Sequence, residues 1–432
     1  MQLWIERLFE IPSSEQRKTL LTLLYIFFSV STCVVGRTTA DSLFLARIGA
    51  EYLATIYLVS SIGVAATAIF YVRAVSRLPL RRLIVTTHLV LAIAVIVMRL
   101  TPTRPGHDFV FVSSMYLLSE IQGAMTAILF ATLLNELFHG KHAGGIFGLS
   151  GLGSTLAGIV FGTLLAMYAD QIHVINLLMM MAALHVAAMI PILLLHKEEV
   201  TVSATVKETG PSPEVSGEDA ADADVSPADV ADANGSLGSS PMVRAVVLLA
   251  AVKFTAIVLV GFQWKVAVID DLYAAEDRIA AYFGAYYAWS NLATAVLQLL
   301  VAGRVLKRFG VLPALLAFPF GLLVAAGSIL WSSQHGVLLW AATFSKGTEV
   351  LRRSFSDPAM QMLYGPLPTG VRRKTIALTG GAVKPLVQAA ASLALLRWAA
   401  LADVHQLSLV VIGLVLIWIL LAFQCGRLFN AT

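Results

Sequence analysis

The feature that most limits what this chain can fold into is its run of apolar blocks, each close to the length a lipid bilayer demands. A hydrocarbon core of roughly 30 Å is crossed by roughly 20 helical residues at about 1.5 Å each. Twelve such blocks can be marked: 20–35, 52–71, 83–98, 109–134, 145–168 and 174–195, then 243–269, 282–302, 311–330, 336–350, 376–396 and 409–425. Inside lipid a segment must satisfy its own backbone hydrogen bonds, so blocks of this kind are helices. Composition agrees, with 58% hydrophobic residues, 13% charged residues and a mean hydropathy of +0.81. A soluble domain carries about one-quarter charged residues. The expectation is an all-α membrane protein with 12 transmembrane helices, and a soluble enzyme or nucleic-acid-binding domain is excluded.

The sixth and seventh blocks are separated by a stretch rich in Ala, Asp, Ser and Pro, without an aromatic residue, which cannot bury enough surface to fold. Between Lys197 and Ser240 it holds ten acidic residues against two lysines, a local charge of −8 inside a chain of net charge +4. The remainder is therefore +12. The expected organisation is a six-helix bundle over 1–196, a disordered acidic cytoplasmic linker over 197–240 and a second six-helix bundle over 241–432. With both termini cytoplasmic, twenty Lys and Arg fall in inner loops and tails and six in outer loops, Arg37 and Arg47 among the six. That bias obeys the positive-inside rule and fits a bacterial inner (plasma) membrane. Basic loops of this origin need no nucleic-acid partner. No small-residue cleavage site follows the first block, so an uncleaved first helix is expected. Cys33 and Cys425 both lie in apolar segments, which supports neither a disulfide nor a thiolate metal site. His107, His139, His142 and His185 are scattered, and no nucleophile–base arrangement is visible. No enzyme activity, metal or cofactor is expected.

Charges at bilayer depth cost roughly 2.5–3.5 kcal/mol each on insertion scales, so each needs a partner, water or a function. Outside the loops stand Lys253, Lys265, Lys346 and Lys384, against Glu120 and Glu349 at comparable depth. An interior that is basic on balance attracts anions, because low-dielectric walls focus the field. Glu120, in the middle of the fourth block, reads either as a substrate, gating or proton-carrying group or as half of a structural ion pair. Lys253 and Lys265 share the seventh block, about 18 Å apart along a straight helix. Lys346, Glu349, Arg352 and Arg353 are spaced for intrahelical pairing, so the expected arrangement is a self-neutralised segment. Lys384 precedes Pro385 and follows Gly380-Gly381, where a kink is expected. The glycine-rich stretch 144–153 lacks the preceding strand and the Gly-Lys-Ser/Thr ending of a phosphate loop. It is expected to serve close helix packing.

Between the second and third blocks lies Arg73-Ala-Val-Ser-Arg77-Leu-Pro-Leu. Between the eighth and ninth lies Gly303-Arg304-Val-Leu-Lys307-Arg308-Phe309-Gly310. The second resembles the major facilitator superfamily loop signature Gly-x-x-x-Asp-Arg-x-Gly, with Lys307 at the acidic position. That resemblance implies two six-helix bundles around a central cavity.

Four further stretches together resemble the nucleotide translocase family, the ATP/ADP carriers of plastids and intracellular bacteria. Arg37-Thr-Thr-Ala-Asp41-Ser42-Leu43 is similar to Arg-Asp-x-Lys-Asp-(Ala/Ser)-Leu. Ser119-Glu120-Ile-Gln-Gly123 is similar to Ala-Glu-Leu-Trp-Gly. Val260-Gly261-Phe-Gln-Trp264-Lys265 is similar to Val-Glu-Val-Thr-Trp-Lys. Ser354-Phe-Ser-Asp357-Pro358-Ala-Met-Gln-Met362-Leu-Tyr364-Gly-Pro366-Leu367 is similar to Ser-Leu-Phe-Asp-Pro-x-Lys-Glu-Met-x-Tyr-x-Pro-Leu. The family implicates a Lys in the first motif, the two helical Glu and a Lys after the tenth helix in nucleotide transport. Of these, Glu120 and Lys374 are present, while Ala40 and Gly261 stand at the other two positions.

Together these readings point to a secondary transporter moving an organic anion, nucleotides included, by alternating access through a basic cavity. Glu120, Lys253, Lys265, Lys346 and Lys384 are candidate cavity residues, with Arg37, Asp41 and Lys374 in gating or substrate contact. Two alternatives stay open: a proton-coupled transporter of another solute with Glu120 as proton carrier, and a non-transporting scaffold or lipid scramblase. The expected partners are a small anionic substrate and the lipid bilayer.

Overall fold

The computed structural model describes residues 16–75, 78–101, 108–137, 143–195, 240–272, 275–332, 336–367, 371–372, 375–376, 378–398 and 403–430. Among these no strand occurs. The first long helices are α1 (Gln16–Arg47), α2 (Leu53–Val75), α3 (Leu80–Leu100), α4 (Asp108–Leu137), α5 (Ala143–Ile172) and α6 (Leu177–Leu194). They are followed by α7 (Pro241–Leu272), α8 (Glu276–Leu297), α9 (Val311–Ser332), α10 (Leu338–Gly347), α11 (Lys384–Trp398) and α12 (Val404–Asn430). Among the described residues nine of these, α1–α7, α9 and α12, are long and apolar enough to cross a membrane. The other three fall short for visible reasons. α8 opens on Glu276 and Asp277, α10 has only 10 residues before a break, and α11 has 15 after a π turn over Leu378–Val383. Gly380-Gly381, where a kink is expected, lie within that π turn.

α1 differs most from its apolar block. It continues twelve residues past Val35, to Arg47, so Arg37 lies inside the helix rather than in an outer loop. The polar run after Gly36 lowers the hydropathy, but Thr38, Thr39, Asp41 and Ser42 are buried against protein. The Thr39 and Ser42 hydroxyls donate to the Val35 and Thr38 carbonyls one turn back, which satisfies them locally.

Within the first six helices α1 packs on α4, α5 and α6, and α3 on α6; within the last six α7 and α9 pack on α12, and α10 on α7 and α9. Contacts between the two sets run through α5–α8, the most extensive pairing in the molecule, and through α2–α11 and α1–α8. Glycines make the α5–α8 approach possible. A Cβ on Gly162 would stand 2.6 Å from the Ala288 nitrogen, and one on Gly284 would stand 2.7 Å from the Ala166 nitrogen. In the glycine-rich stretch earlier in α5, a Cβ on Gly153 would make an ordinary contact with α1, 3.4 Å from the Leu23 carbonyl oxygen, while one on Gly151 would have nothing within 4 Å.

The hydrophobic core is divided. One cluster joins both sets of helices and includes Phe44, Leu45, Val174, Val268 and Ile279 near the end of the molecule that carries Arg47. A second, separate cluster belongs to the first set alone, with Leu21, Tyr25, Leu83, Leu133 and Ile192 near the end that carries Gln16. The two sets therefore share a core at the Arg47 end. In the loop motif, Arg304 and Arg308 are exposed on the short helix Gly303–Phe309, and Gly310 turns the chain into α9 at φ +80°, a conformation that favours glycine. Arg77, Lys374 and the 197–239 stretch lie outside the described residues.

Candidate functional site

Arg37 is ten residues from the end of α1 and Glu120 twelve from the start of α4, so both sit roughly 15–18 Å along their helices, near mid-depth. They form an ion pair with side chains 43% and 20% accessible. Arg37 is surrounded by Glu120, Asp41, Tyr116 and Tyr287, from α1, α4 and α8. Its accessible surface therefore faces an interior space, where the fold brings the two sets of helices together.

Lys253 of α7 donates to Asp357 Oδ1 at 3.1 Å, and Arg352 donates to Asp357 Oδ2 at 2.8 Å. Asp357 is 36% accessible. Lys384, at the start of α11, is exposed and makes no ion pair among the described residues. Its charged neighbours include Glu120, Arg37, Arg352 and Lys253.

Lys265 behaves differently. Its ammonium donates to Asp41 Oδ1 at 2.6 Å and to the Tyr116 hydroxyl at 2.7 Å, and it lies about 5 Å from the centres of the Tyr57 and Tyr116 rings. The Lys265 and Asp41 side chains are 8% and 2% accessible, and they link α7 to α1 across the two sets. Lys265 is thus a sealed cross-link between the two sets of helices. Lys346 pairs with Glu349 at 2.5 Å, and Arg353 reaches Glu349 at 3.9 Å and Asn291 Oδ1 at 3.3 Å. The intrahelical pairing read from the spacing is present for these three, with two cations on one carboxylate, while Arg352 leaves it for Asp357.

Sequence reading counted only Glu120 and Glu349 as acids at depth; Asp41 and Asp357 belong with them. The group now holds Arg37, Lys253, Lys265, Lys346, Arg352, Arg353 and Lys384, seven cations, against Asp41, Glu120, Glu349 and Asp357, four carboxylates. It stays basic on balance, although three of the four interior lysines are individually paired. A Cβ on Gly261 would have only Lys346 Nζ within 4.0 Å, so an acidic side chain at that position would meet the ammonium that Glu349 holds here. Ala40 is a core residue, 2% accessible.

Nearer the Arg47 end, Arg47 donates to Glu276 at 2.5 and 3.2 Å and reaches Asp108 at 3.5 Å. Asp277 accepts from the Val174 backbone N–H at 3.0 Å and lies 3.4 Å from His173. These contacts tie the start of α8 to the first set. The sequence pattern did not single them out, since charges at helix ends are ordinary. Elsewhere, His185 is not scattered but faces His88 of α3, Nδ1 to Nδ1 at 3.0 Å, in the buried interior of the first set.

A bundle of long apolar helices with charged side chains packed among them is that of a multi-pass membrane protein. Solved structures agree on the fold. A mutant of the nucleoside transporter NupG superposes with a TM-score of 0.63 at 14% identity, covering 95% of this chain and 99% of that one. A bacterial homologue of the iron transporter ferroportin in an inward-facing state gives 0.61 at 14% identity over 96% and 99%. A mutant of the peptide transporter POT gives 0.65 at 12% identity over 95% of each chain. These are major facilitator-type folds. No curated protein sequence matches the chain. The family model described as TLC ATP/ADP transporter matches residues 108–429, and the chain belongs to that family.

Proposed function

We propose that this protein is a secondary active transporter that moves an organic anion, with nucleotides as the first candidates, by alternating access. In this reading all twelve helices span a bacterial inner membrane as two six-helix bundles, 1–196 and 241–432, joined by a cytoplasmic acidic linker over 197–240. Family membership supports it, as does the nucleoside transporter that shares the fold.

The observation that carries the proposal is the excess of cations over carboxylates at mid-depth, with Arg37, Lys384 and Asp357 open to the interior space. A low-dielectric enclosure concentrates the field of such a group on an anion. Arg37, Lys253 and Lys384 are assigned to substrate contact, and Glu120 holds Arg37 in position. Asp41 and Lys265 act as a gate between the bundles, Lys346 as a secondary cavity cation, and Lys374 as a contact on the cytoplasmic side. The positive-inside bias puts the Arg47 end outside, where the bundles are tied by Arg47–Glu276 and Asp277–Val174. The conformation is accordingly read as closed outward and open toward the cytoplasm.

The test is uptake by proteoliposomes containing the purified protein, with labelled ATP, ADP, AMP and dicarboxylates. Saturable uptake or exchange is expected for at least one of them. Glu120→Gln should lower that rate at least about tenfold, in line with the loss of one charge-assisted contact. Absence of movement for every anion, from a protein that remains folded, would overturn the proposal.

A further inference from the structure

Asp357 holds a cation from a distant helix, Lys253 of α7, together with Arg352 five residues before it. On a regular α-helix five residues turn a side chain by about 140°, away from its starting face. Residues Arg352–Ser356 form a π turn instead, whose i→i+5 pairing restores the alignment and lets Arg352 meet Asp357 at 2.8 Å. Pro358 follows directly and brings no N–H of its own to the break. The backbone is thus distorted at the point where a carboxylate is delivered to two cations.

Accessibility separates this carboxylate from its neighbours. Glu349 is 9% accessible and Asp41 2%, and both are sealed against their lysines. Asp357 is 36% accessible, and Lys384, whose charged neighbours include the same Lys253 and Arg352, is exposed and unpaired among the described residues. Lys253 and Arg352 themselves are only 10% and 21% accessible. An anion reaching Asp357 meets two recessed cations already occupied by its carboxylate.

We infer that Asp357 is an internal counter-anion of the substrate site: it occupies Lys253 and Arg352 in the empty protein and is displaced from them by the substrate's anionic group. The inference rests on the anion-transport reading above. An Arg and a Lys that converge on one carboxylate offer a forked and a point donor, suited to a carboxylate or phosphate oxyanion. Displacement has a kinetic consequence. Asp357 competes for the same donors, so it lowers affinity and drives release, as a carrier that must let its cargo go requires.

The experiment measures binding of inorganic phosphate and of ADP to the full-length protein in detergent by titration calorimetry. Asp357→Asn removes the competitor and should bind at least one of the two probes about tenfold more tightly than the wild type, while Asp357→Glu should stay near it. Lys253→Gln and Arg352→Gln should each bind about tenfold more weakly. Binding by Asp357→Asn that is equal to or weaker than wild type overturns the inference and leaves the transport reading standing. Should Asp357→Asn fail to fold, the two cation variants decide, and wild-type affinity in either one overturns it. A wild-type protein that binds neither probe and moves no anion in proteoliposomes fails at the earlier step, and both readings fall together.

Discussion

At the scale of single residues, the sealed pair of Lys265 and Asp41 illustrates how a charge survives at bilayer depth. Removing two charges from water costs several kcal/mol each, and their attraction plus the Tyr116 hydroxyl roughly repays it. Such a pair adds little net stability, but breaking one side is expensive. Asp41→Asn, which strands the Lys265 ammonium at 8% accessibility, should destabilise the protein by about 3–5 kcal/mol. Adding Lys265→Met to it should recover most of that loss, because an unbranched apolar side chain one atom shorter needs no partner. Thermal unfolding of the single and double variants in detergent checks this, and a double variant no better than Asp41→Asn would reject the account. Glu120 and Arg37 differ in kind: they are more accessible, so Glu120→Gln is expected to impair transport far more than folding.

Among elements, the α5–α8 contact is the most demanding on sequence. Gly162 and Gly284 let the two backbones approach until a Cβ on either would meet main-chain atoms closer than 3 Å. Backbone cannot swing aside as a side chain can, so Gly162→Val and Gly284→Val should each cost roughly 1–3 kcal/mol by overpacking. Gly151, also on α5, has nothing within 4 Å of its Cβ position. Gly151→Ala should be neutral or stabilising by up to about 1 kcal/mol, since alanine loses less chain entropy in a helix. Melting temperatures of the three variants, measured together, separate helix packing from helix propensity. The π turns at 352–356 and 378–383 belong to this scale too. Glycines flagged the second, whereas no residue pattern flagged the first.

For the whole molecule, the two sets of helices share a hydrophobic core and polar cross-links near Arg47, and the first set keeps a core of its own near Gln16. Arg47 and Glu276 are 25% and 27% accessible, so their attraction is partly screened by salt. Reversing one charge, Glu276→Lys, should shift the population toward a state open at the Arg47 end. Spin labels at positions 51 and 278, in a background lacking Cys33 and Cys425, should report a longer distance in that variant. An unchanged distance distribution would show that apolar packing alone holds this end closed. The sequence by itself determined the helical character, the membrane environment and the presence of costly interior charge, because hydropathy and helix length are properties of contiguous residues. It also gave the spacing by which Lys346, Glu349 and Arg353 pair. Only the tertiary structure decided which distant charges meet: Lys265 finds Asp41 across 224 positions, Arg37 finds Glu120 across 83, and Lys253 finds Asp357 across 104. Ion pairs form between neighbours in space, and a linear pattern carries no information on which helix faces which until the bundle has packed.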